Sequence, residues 1–207
     1  MNEIIAEVRI DNVFTPTIHV SNSPIILKSD RVIGGEPEED SNVLYEQGFV
    51  WFQDCIAFDM LRDYQSYWVK IGFAESLEID PVIAKAKGGD ASVILLPFQI
   101  TDRERVCVFG DVNDGVIFTF TLYAGHYKLL FQNREFTREE IEAEPNFDCE
   151  DIEYDDWDDQ IELCLLTFIP TIEPIEPKVI QYHGKARTEN SAALILHDRK
   201  LYQNNDD

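Results

Sequence analysis

The stretch RVCVFGDVNDGVIFTFTLYAGHYKLLFQN (Arg105–Asn133) decides the fold class, because it predicts three strands joined by two tight turns. Apolar and polar residues alternate along VIFTFTL, and alternation with period two is typical of a half-buried β-strand. An Asp-Gly dipeptide between two apolar runs is a strong hairpin signal, and Ala-Gly marks the second turn. The residues predicted to face the core are Val116, Phe118, Phe120 and Leu122.

Short apolar runs separated by turn residues recur along the rest of the chain. Only Thr137–Glu144 is typical of a helix, because Thr137 followed by Glu140 fits a capping box. Pro97 favours an edge or a bulge in its strand. This pattern predicts an all-β fold, an antiparallel β-sandwich with one short helix and an acidic insertion. The other predicted strands are Glu3–Ile10, Thr17–Ser21, Ser23–Lys28, Gly48–Asp54, Cys55–Leu61, Ser66–Phe73, Ser92–Ile100, Ile161–Pro170 and Lys178–Gly184.

Residues 1–184 are predicted to form a single β-sandwich domain, and residues 185–207 a C-terminal extension that is partly disordered. The 207 residues are 44% hydrophobic and 12% aromatic, which suffices for a substantial core. The N-terminus lacks the order of a signal peptide, and no apolar run approaches the roughly 18 residues of a membrane span. We therefore expect a cytoplasmic protein with no membrane partner.

The formal net charge of −23, from 17 Lys and Arg against 40 Asp and Glu, limits the choice of partner. Nucleic acid phosphates need cations to replace their counterions, so direct binding of DNA or RNA is not expected. A basic protein or bound cations suit this field better. The charge leaves the oligomeric state open.

The sequence offers no recognisable catalytic or metal motif. None of the four histidines has a ligand spacing, and the four cysteines form no CxxC pair. Cys55, Cys107 and Cys164 lie in apolar runs and are interpreted as small core residues. No nucleophile elbow, P-loop or dinucleotide fingerprint occurs. We therefore predict a non-enzymatic protein with no catalytic residues, no cofactor and no metal.

The stretch DCEDIEYDDWDDQ (Asp148–Gln160) carries eight carboxylates, two aromatic residues and no Lys or Arg. One interpretation is a solvated loop. A second is a calcium site, since the acids follow an EF-hand order from Asp151 to Glu162, with Asp156 in place of the invariant glycine. The third is a surface that attracts a basic partner and anchors it with aromatic area, which alone explains the aromatics. The predicted partner-binding residues are Asp151, Glu153, Tyr154, Asp155, Asp156, Trp157, Asp158 and Asp159.

Four segments resemble, in their order, the competence protein J family. They are EQGFVWFQDCIAFDM, SYWVKIGF, SVILLPFQITDRERVCVFG and GVIFTFTLYAGHYKLLFQN. The resemblance covers about Val8 to Thr167, while the acidic stretch, the helix before it and the tail after Gly184 look additional. The positions that match the family pattern are Gly48, Phe58, Pro97, Phe98, Phe118, Phe120, Gly125 and Tyr127.

The resemblance implies a small acidic cytoplasmic protein that inhibits a DNA-entry nuclease. An acidic protein can occupy a nuclease's basic groove as a surrogate for the polyanion, by steric and electrostatic blockade without chemistry. Trp157 would then be the anchor. A calcium-binding β-sandwich module and a general protein-interaction domain are the alternatives. The acids expected to meet Lys, Arg or the metal of a nuclease are Asp155, Asp156, Asp158 and Asp159, with Glu36, Glu38, Glu39 and Asp40 as a further acidic loop.

Overall fold

Two β-sheets face each other across one hydrophobic core. The computed structural model describes residues 3–10, 17–21, 48–51, 55–61, 67–85, 91–100, 104–109, 116–143, 161–173, 175–182 and 185–186. The strands are β1 (Glu3–Ile10), β2 (Thr17–Ser21), β3 (Phe49–Trp51), β4 (Cys55–Asp59), β5 (Tyr67–Phe73), β6 (Ala91–Ile100), β7 (Glu104–Phe109), β8 (Val116–Leu122), β9 (Gly125–Glu135), β10 (Glu162–Thr171), β11 (Lys178–Tyr182) and β12 (Lys185–Ala186). The helices described are α1 (Pro81–Lys85) and α2 (Arg138–Ala143).

The larger sheet has seven strands in the order β1-β5-β10-β9-β6-β11-β12, and the smaller has five in the order β3-β4-β2-β7-β8. Among these strands, β10 pairs in parallel with β5, while the other pairs are antiparallel. The predicted hairpin of β7 and β8 is present. The next turn carries the chain into the other sheet, where β9 pairs with β6 and β10. The fold is thus a strand-rich sandwich with one parallel pair.

Aromatic rings join the two sheets. The rings of Phe58 in the smaller sheet and Phe131 in the larger stack with centroids 4.3 Å apart. In β8, Phe120 packs on the core and Leu122 is buried, whereas Thr119 and Thr121, which alternate with them, are exposed. This alternation confirms the core face predicted for the end of β8. The side chains of Val116 and Phe118, on the same predicted face, lie outside what the structure describes.

Two single residues behave as their sequence context predicts. Pro97 lies in β6 beyond Leu95, where the pairing with β11 ends and β9 is the neighbour that continues. Proline is therefore tolerated there without a lost ladder bond on that side. Cys164 is buried in the core, and burial together with the charge of Glu162 raises the pKa of its thiol well above the ordinary value. It is a packing residue and a poor nucleophile.

Helix α1 was not predicted from the sequence. Asp80 accepts hydrogen bonds through Oδ1 from the backbone N–H of Val82 at 2.7 Å and of Ile83 at 3.3 Å. Pro81 occupies the first helical position, where its missing N–H costs nothing. An Asp-Pro pair that opens a short apolar segment is the signal that identifies this helix.

Both helices cover the face of the larger sheet that is turned away from the smaller one, called the outer face below. Ala74 and Ile83 pack with Val93, Leu130 and other sheet residues in one cluster, and α2 packs in a second. The sheet continues through β12 to Ala186, and the domain division at residue 184 stays a prediction. The strand predicted at residues 23–28 and the segment from 191 to 202 lie outside the described residues.

Candidate partner-binding site

The eight predicted partner-binding residues all lie in segment 144–160, outside the described residues, and so does the acidic loop at residues 36–40. The structure therefore neither brings them together nor separates them. What it does describe is the chain on either side of segment 144–160. Helix α2 ends at Ala143, and the described chain resumes at Ile161.

Both ends of this acidic segment are attached to one hydrophobic cluster on the outer face. The backbone N–H of Phe136, just before α2, donates to the carbonyl of Ile161 at 2.7 Å. Ile141 of α2 joins Phe136, Ile161, Leu163 and Trp68 in the cluster, all of them buried. Trp68 and Leu163 meet because they are register partners in β5 and β10. The described residues before and after the acidic segment therefore meet in a single cluster.

Helix α2 begins with the capping box that the sequence predicts. The N–H of Thr137 donates to Oε2 of Glu140 at 3.1 Å, and the N–H of Glu140 donates to Oγ1 of Thr137 at 3.3 Å. These reciprocal bonds satisfy two backbone donors that a short helix otherwise leaves open. The sequence therefore fixes where the helix before the acidic segment starts.

Arg134 fastens α2 to the sheet. Its guanidinium donates to the two carboxylate oxygens of Glu140 at 2.6 and 2.7 Å, and it forms an ion pair with Asp80 at 3.3 Å. Burial alone would lower the pKa of Arg134, but the bonds to Glu140 and Asp80 raise it above its ordinary value. The same bonds from Arg134 lower the pKa of Glu140 to about 2. A buried cation with two carboxylate partners is compensated, which makes its burial tolerable.

The chain next to the acidic segment is rich in carboxylates. From Glu139 to Glu162 the sequence contains 13 Asp and Glu and no Lys or Arg, although Arg138 immediately precedes this run. Two described cations near α2 already have carboxylate partners: Arg134 is 5% exposed and held by two carboxylates, and Lys70, which lies 5.9 Å from the Phe136 ring, is paired with Glu7. Glu139 and Glu142 of α2 are exposed.

A buried carboxylate fixes the start of β10 to the smaller sheet. Glu162 is fully buried, and its Oε2 accepts hydrogen bonds from the N–H of Leu61 at 3.1 Å and from Nδ2 of Asn133 at 3.0 Å. Leu61 follows β4 of the smaller sheet. Sequence analysis assigned no structural role to Glu162 or to Arg134. The alternation of β10 was the available signal for Glu162, since it puts this residue on the face of Cys164 and Leu166.

The described part of the chain contains neither a metal-binding cluster nor a membrane-spanning helix. No group of three or more His, Cys, Asp or Glu side chains there is arranged to hold a metal ion. None of the helices described is long and apolar enough to cross a membrane. The calcium ligands proposed between Asp151 and Asp159 lie outside the described residues. The last proposed ligand, Glu162, is fully buried and accepts hydrogen bonds from Leu61 and Asn133, which counts against its role in a calcium site.

Comparisons with known proteins return one family. The family model described as Competence protein J (ComJ) matches residues 18–155, which are 138 of the 207 residues. The crystal structure of ComJ from Bacillus subtilis, inhibitor of the DNA degrading activity of NucA, is similar over 82% of this chain and 99% of that one, with 11% identity and a TM-score of 0.49. A structure described as crocagin biosynthetic gene J is similar over 82% and 98%, with 13% identity and a TM-score of 0.42. No curated protein matches.

Proposed function

Since this chain belongs to the competence protein J family, we propose that it binds a DNA-degrading nuclease and inhibits it. The family match over residues 18–155 is the single observation that carries the proposal. The family resemblance implies inhibition of a DNA-entry nuclease, and NucA is the nuclease named for the Bacillus subtilis protein. The protein itself performs no reaction in this proposal, and it acts in the cytoplasm.

The proposed mechanism is electrostatic and steric blockade. A nuclease binds the phosphates of DNA with basic side chains. A protein with a net charge of −23 can present carboxylates to these side chains in place of the phosphates. The acidic segment, residues 144–160, supplies the charge in this proposal, through Asp155, Asp156, Asp158 and Asp159, and Trp157 supplies the buried anchor area. The compensated state of Arg134 supports it, because this cation is already held by Glu140 and Asp80.

The expected strength of the blockade depends on salt. Two unit charges 4 Å apart attract by about 1 kcal/mol in water and about 4 kcal/mol at the effective dielectric of a protein surface. Exposed charges are screened over a Debye length of about 10 Å at 0.1 M salt and about 3 Å at 1 M. Association is therefore expected to slow as salt rises, and the affinity to fall with it.

The experiment titrates the purified chain into NucA and follows cleavage of a fluorescent DNA duplex at two salt concentrations. We expect inhibition near equimolar protein and a weaker effect at the higher salt. Replacing the four aspartates 155, 156, 158 and 159 by Asn should weaken inhibition, and Trp157→Ala should weaken it further. The control replaces Glu173 and Glu176 by Gln, because these exposed carboxylates follow the far end of β10, about 33 Å from its start.

Three results would separate the parts of this proposal. Absence of inhibition at any salt would remove nuclease inhibition itself for this nuclease. Inhibition that is unchanged by salt and by the four Asn substitutions would keep the function and remove electrostatic blockade. A loss in the Glu173 and Glu176 control that is about half the loss in the four-Asn protein, in proportion to two charges against four, would assign the effect to total charge and not to the acidic segment.

A further inference from the structure

A groove of ≈ 180 Å³ opens on the outer face of the larger sheet, between β1, β5 and the chain that leads into α1. Its apolar lining includes Ile4, Ile79 and Leu165, and Gly72 of β5 also lines it. The groove has the volume of about six water molecules at about 30 Å³ each. It is smaller than the 300 Å³ or so at which pockets for drug-sized ligands begin, and it suits one long side chain.

One exposed apolar side chain lines this groove. Five large hydrophobic residues are exposed in the described part of the chain, and Ile4, at 47%, is one of the lining residues. Leu77 and Val82, each 41% exposed, flank the lining segment from Glu78 to Pro81 in the sequence. An apolar centre with a charged rim is the usual anatomy of a protein interface.

One carboxylate that lines the groove, that of Glu78, has no ion-pair partner among the described residues. Lys70 is paired with Glu7 at 3.4 Å, and Asp80 is paired with the buried Arg134. Glu78 is exposed and lines the groove, where its Oε1 accepts a hydrogen bond from the Ser76 hydroxyl at 3.4 Å. Among the described residues, no cation pairs with Glu78. The charge that complements this groove is therefore positive.

We propose that the groove receives one lysine or arginine side chain of a basic partner protein. The apolar stem of such a side chain packs on Ile4, Ile79 and Leu165 while its charged head stays at the rim beside Glu78. Arginine suits the site better, because its head is less strongly hydrated and recurs at interface hot spots.

The position of the groove links it to the proposed nuclease surface. Leu165 lies two residues along β10 from Leu163 of the cluster that anchors the acidic segment, a distance of about 7 Å. The groove therefore lies on the same face of the larger sheet as the cluster that holds both ends of the acidic segment. The identification of that partner as a nuclease rests on the proposed function, whereas the preference of the groove for a cationic side chain does not.

The test uses Nα-acetyl-arginine amide as the probe and Nα-acetyl-citrulline amide as its neutral match. In ¹⁵N NMR spectra of the full chain, arginine should shift the amides of Ile4, Gly72 and Leu165 in a saturable way, and citrulline should not. Glu78→Gln and Ile4→Ser should remove these shifts, because they delete the rim charge and part of the apolar lining. Glu173→Gln, a matched loss of one exposed carboxylate at a distance, should keep them.

A second arm measures inhibition of NucA. Glu78→Lys should raise the half-inhibitory concentration about tenfold, which corresponds to about 1.4 kcal/mol, while Glu173→Lys should change it less than twofold. Shifts that are absent, or equal for citrulline, overturn the groove as a site for a cationic side chain. A Glu78→Lys protein that inhibits as well as the wild type overturns the nuclease as the partner whose side chain enters it. If the arginine probe shifts the groove amides but the wild-type protein does not inhibit NucA, the groove is supported and only the nuclease is rejected as its partner.

Discussion

Replacing Glu140 by Gln isolates the charge that fastens α2 to the sheet. The Glu140 carboxylate accepts two bonds from Arg134, at 2.6 and 2.7 Å, and bonds from the N–H and hydroxyl of Thr137 at 3.1 and 2.9 Å. Glutamine in this helix position still completes a capping box. The substitution therefore removes the ion pair and keeps the cap.

The structure sets the size of the loss. Hydrogen bonds from Arg134 hold the pKa of Glu140 at about 2, below its ordinary 4.5. A carboxyl whose pKa is lowered from 4.5 to about 2 on folding stabilises the fold by at most about 3.4 kcal/mol. This stabilisation is complete above pH 4.5 and is lost as the pH falls through 2. Since 34% of the Glu140 side-chain surface is open to solvent, screening reduces the figure to about 1–2 kcal/mol.

The assay is urea denaturation followed by tryptophan fluorescence, at neutral pH and at about pH 2.5. At neutral pH the Glu140→Gln protein should unfold with about 1–2 kcal/mol less free energy than the wild type, and at about pH 2.5 the deficit should shrink to about a quarter. Glu139→Gln, an exposed carboxylate on the same helix, should stay within about 0.5 kcal/mol of the wild type. Equal stability at neutral pH, or a deficit that persists in acid, would refute the assignment to this ion pair.

Three other substitutions test the fold. Phe131→Ala removes the ring stacked 4.3 Å from Phe58 and should cost about 3–5 kcal/mol in urea; a cost below about 1 kcal/mol would contradict packing of the sheets through this pair. Gly48→Ala places a Cβ within 2.6 Å of the Tyr182 ring, at a φ of 83° that alanine rarely adopts. The substitution should destabilise the fold by about 1–3 kcal/mol and lower the melting temperature measured by calorimetry. An unchanged melting temperature would refute this contact. Thr137→Ala should lower the free energy of unfolding in urea by about 1 kcal/mol, whereas Thr137→Ser, which keeps the capping oxygen, should not. Equal losses in the two variants would rule out the cap.

Strand positions were predictable because the alternation that defines them is local. β1 and β2 have the bounds that the sequence predicts, Glu3–Ile10 and Thr17–Ser21. The capping box placed α2 for the same reason, since its two residues are three apart. Family membership was predictable from the order of the segments, and the match over residues 18–155 confirms it.

Contacts between distant residues were not predictable from such patterns. Nothing in β5 indicates that its parallel neighbour is β10, which begins at residue 162. Arginine is usually exposed at the surface of a protein. Arg134 is buried because Asp80 and Glu140, from two separate segments, both pair with it. The role of the eight acidic-segment residues predicted to bind a partner stays a prediction, since they lie outside the described residues.

The central place of β10 in the larger sheet constrains how the chain assembles. β10 lies between β5 and β9, yet it is synthesised after both. Until it leaves the ribosome, β5 has only β1 beside it and β9 only β6, so each half-sheet presents an open backbone edge that another chain can join. The run of carboxylates emerges just before β10, and its like charge repels neighbouring nascent chains during that interval.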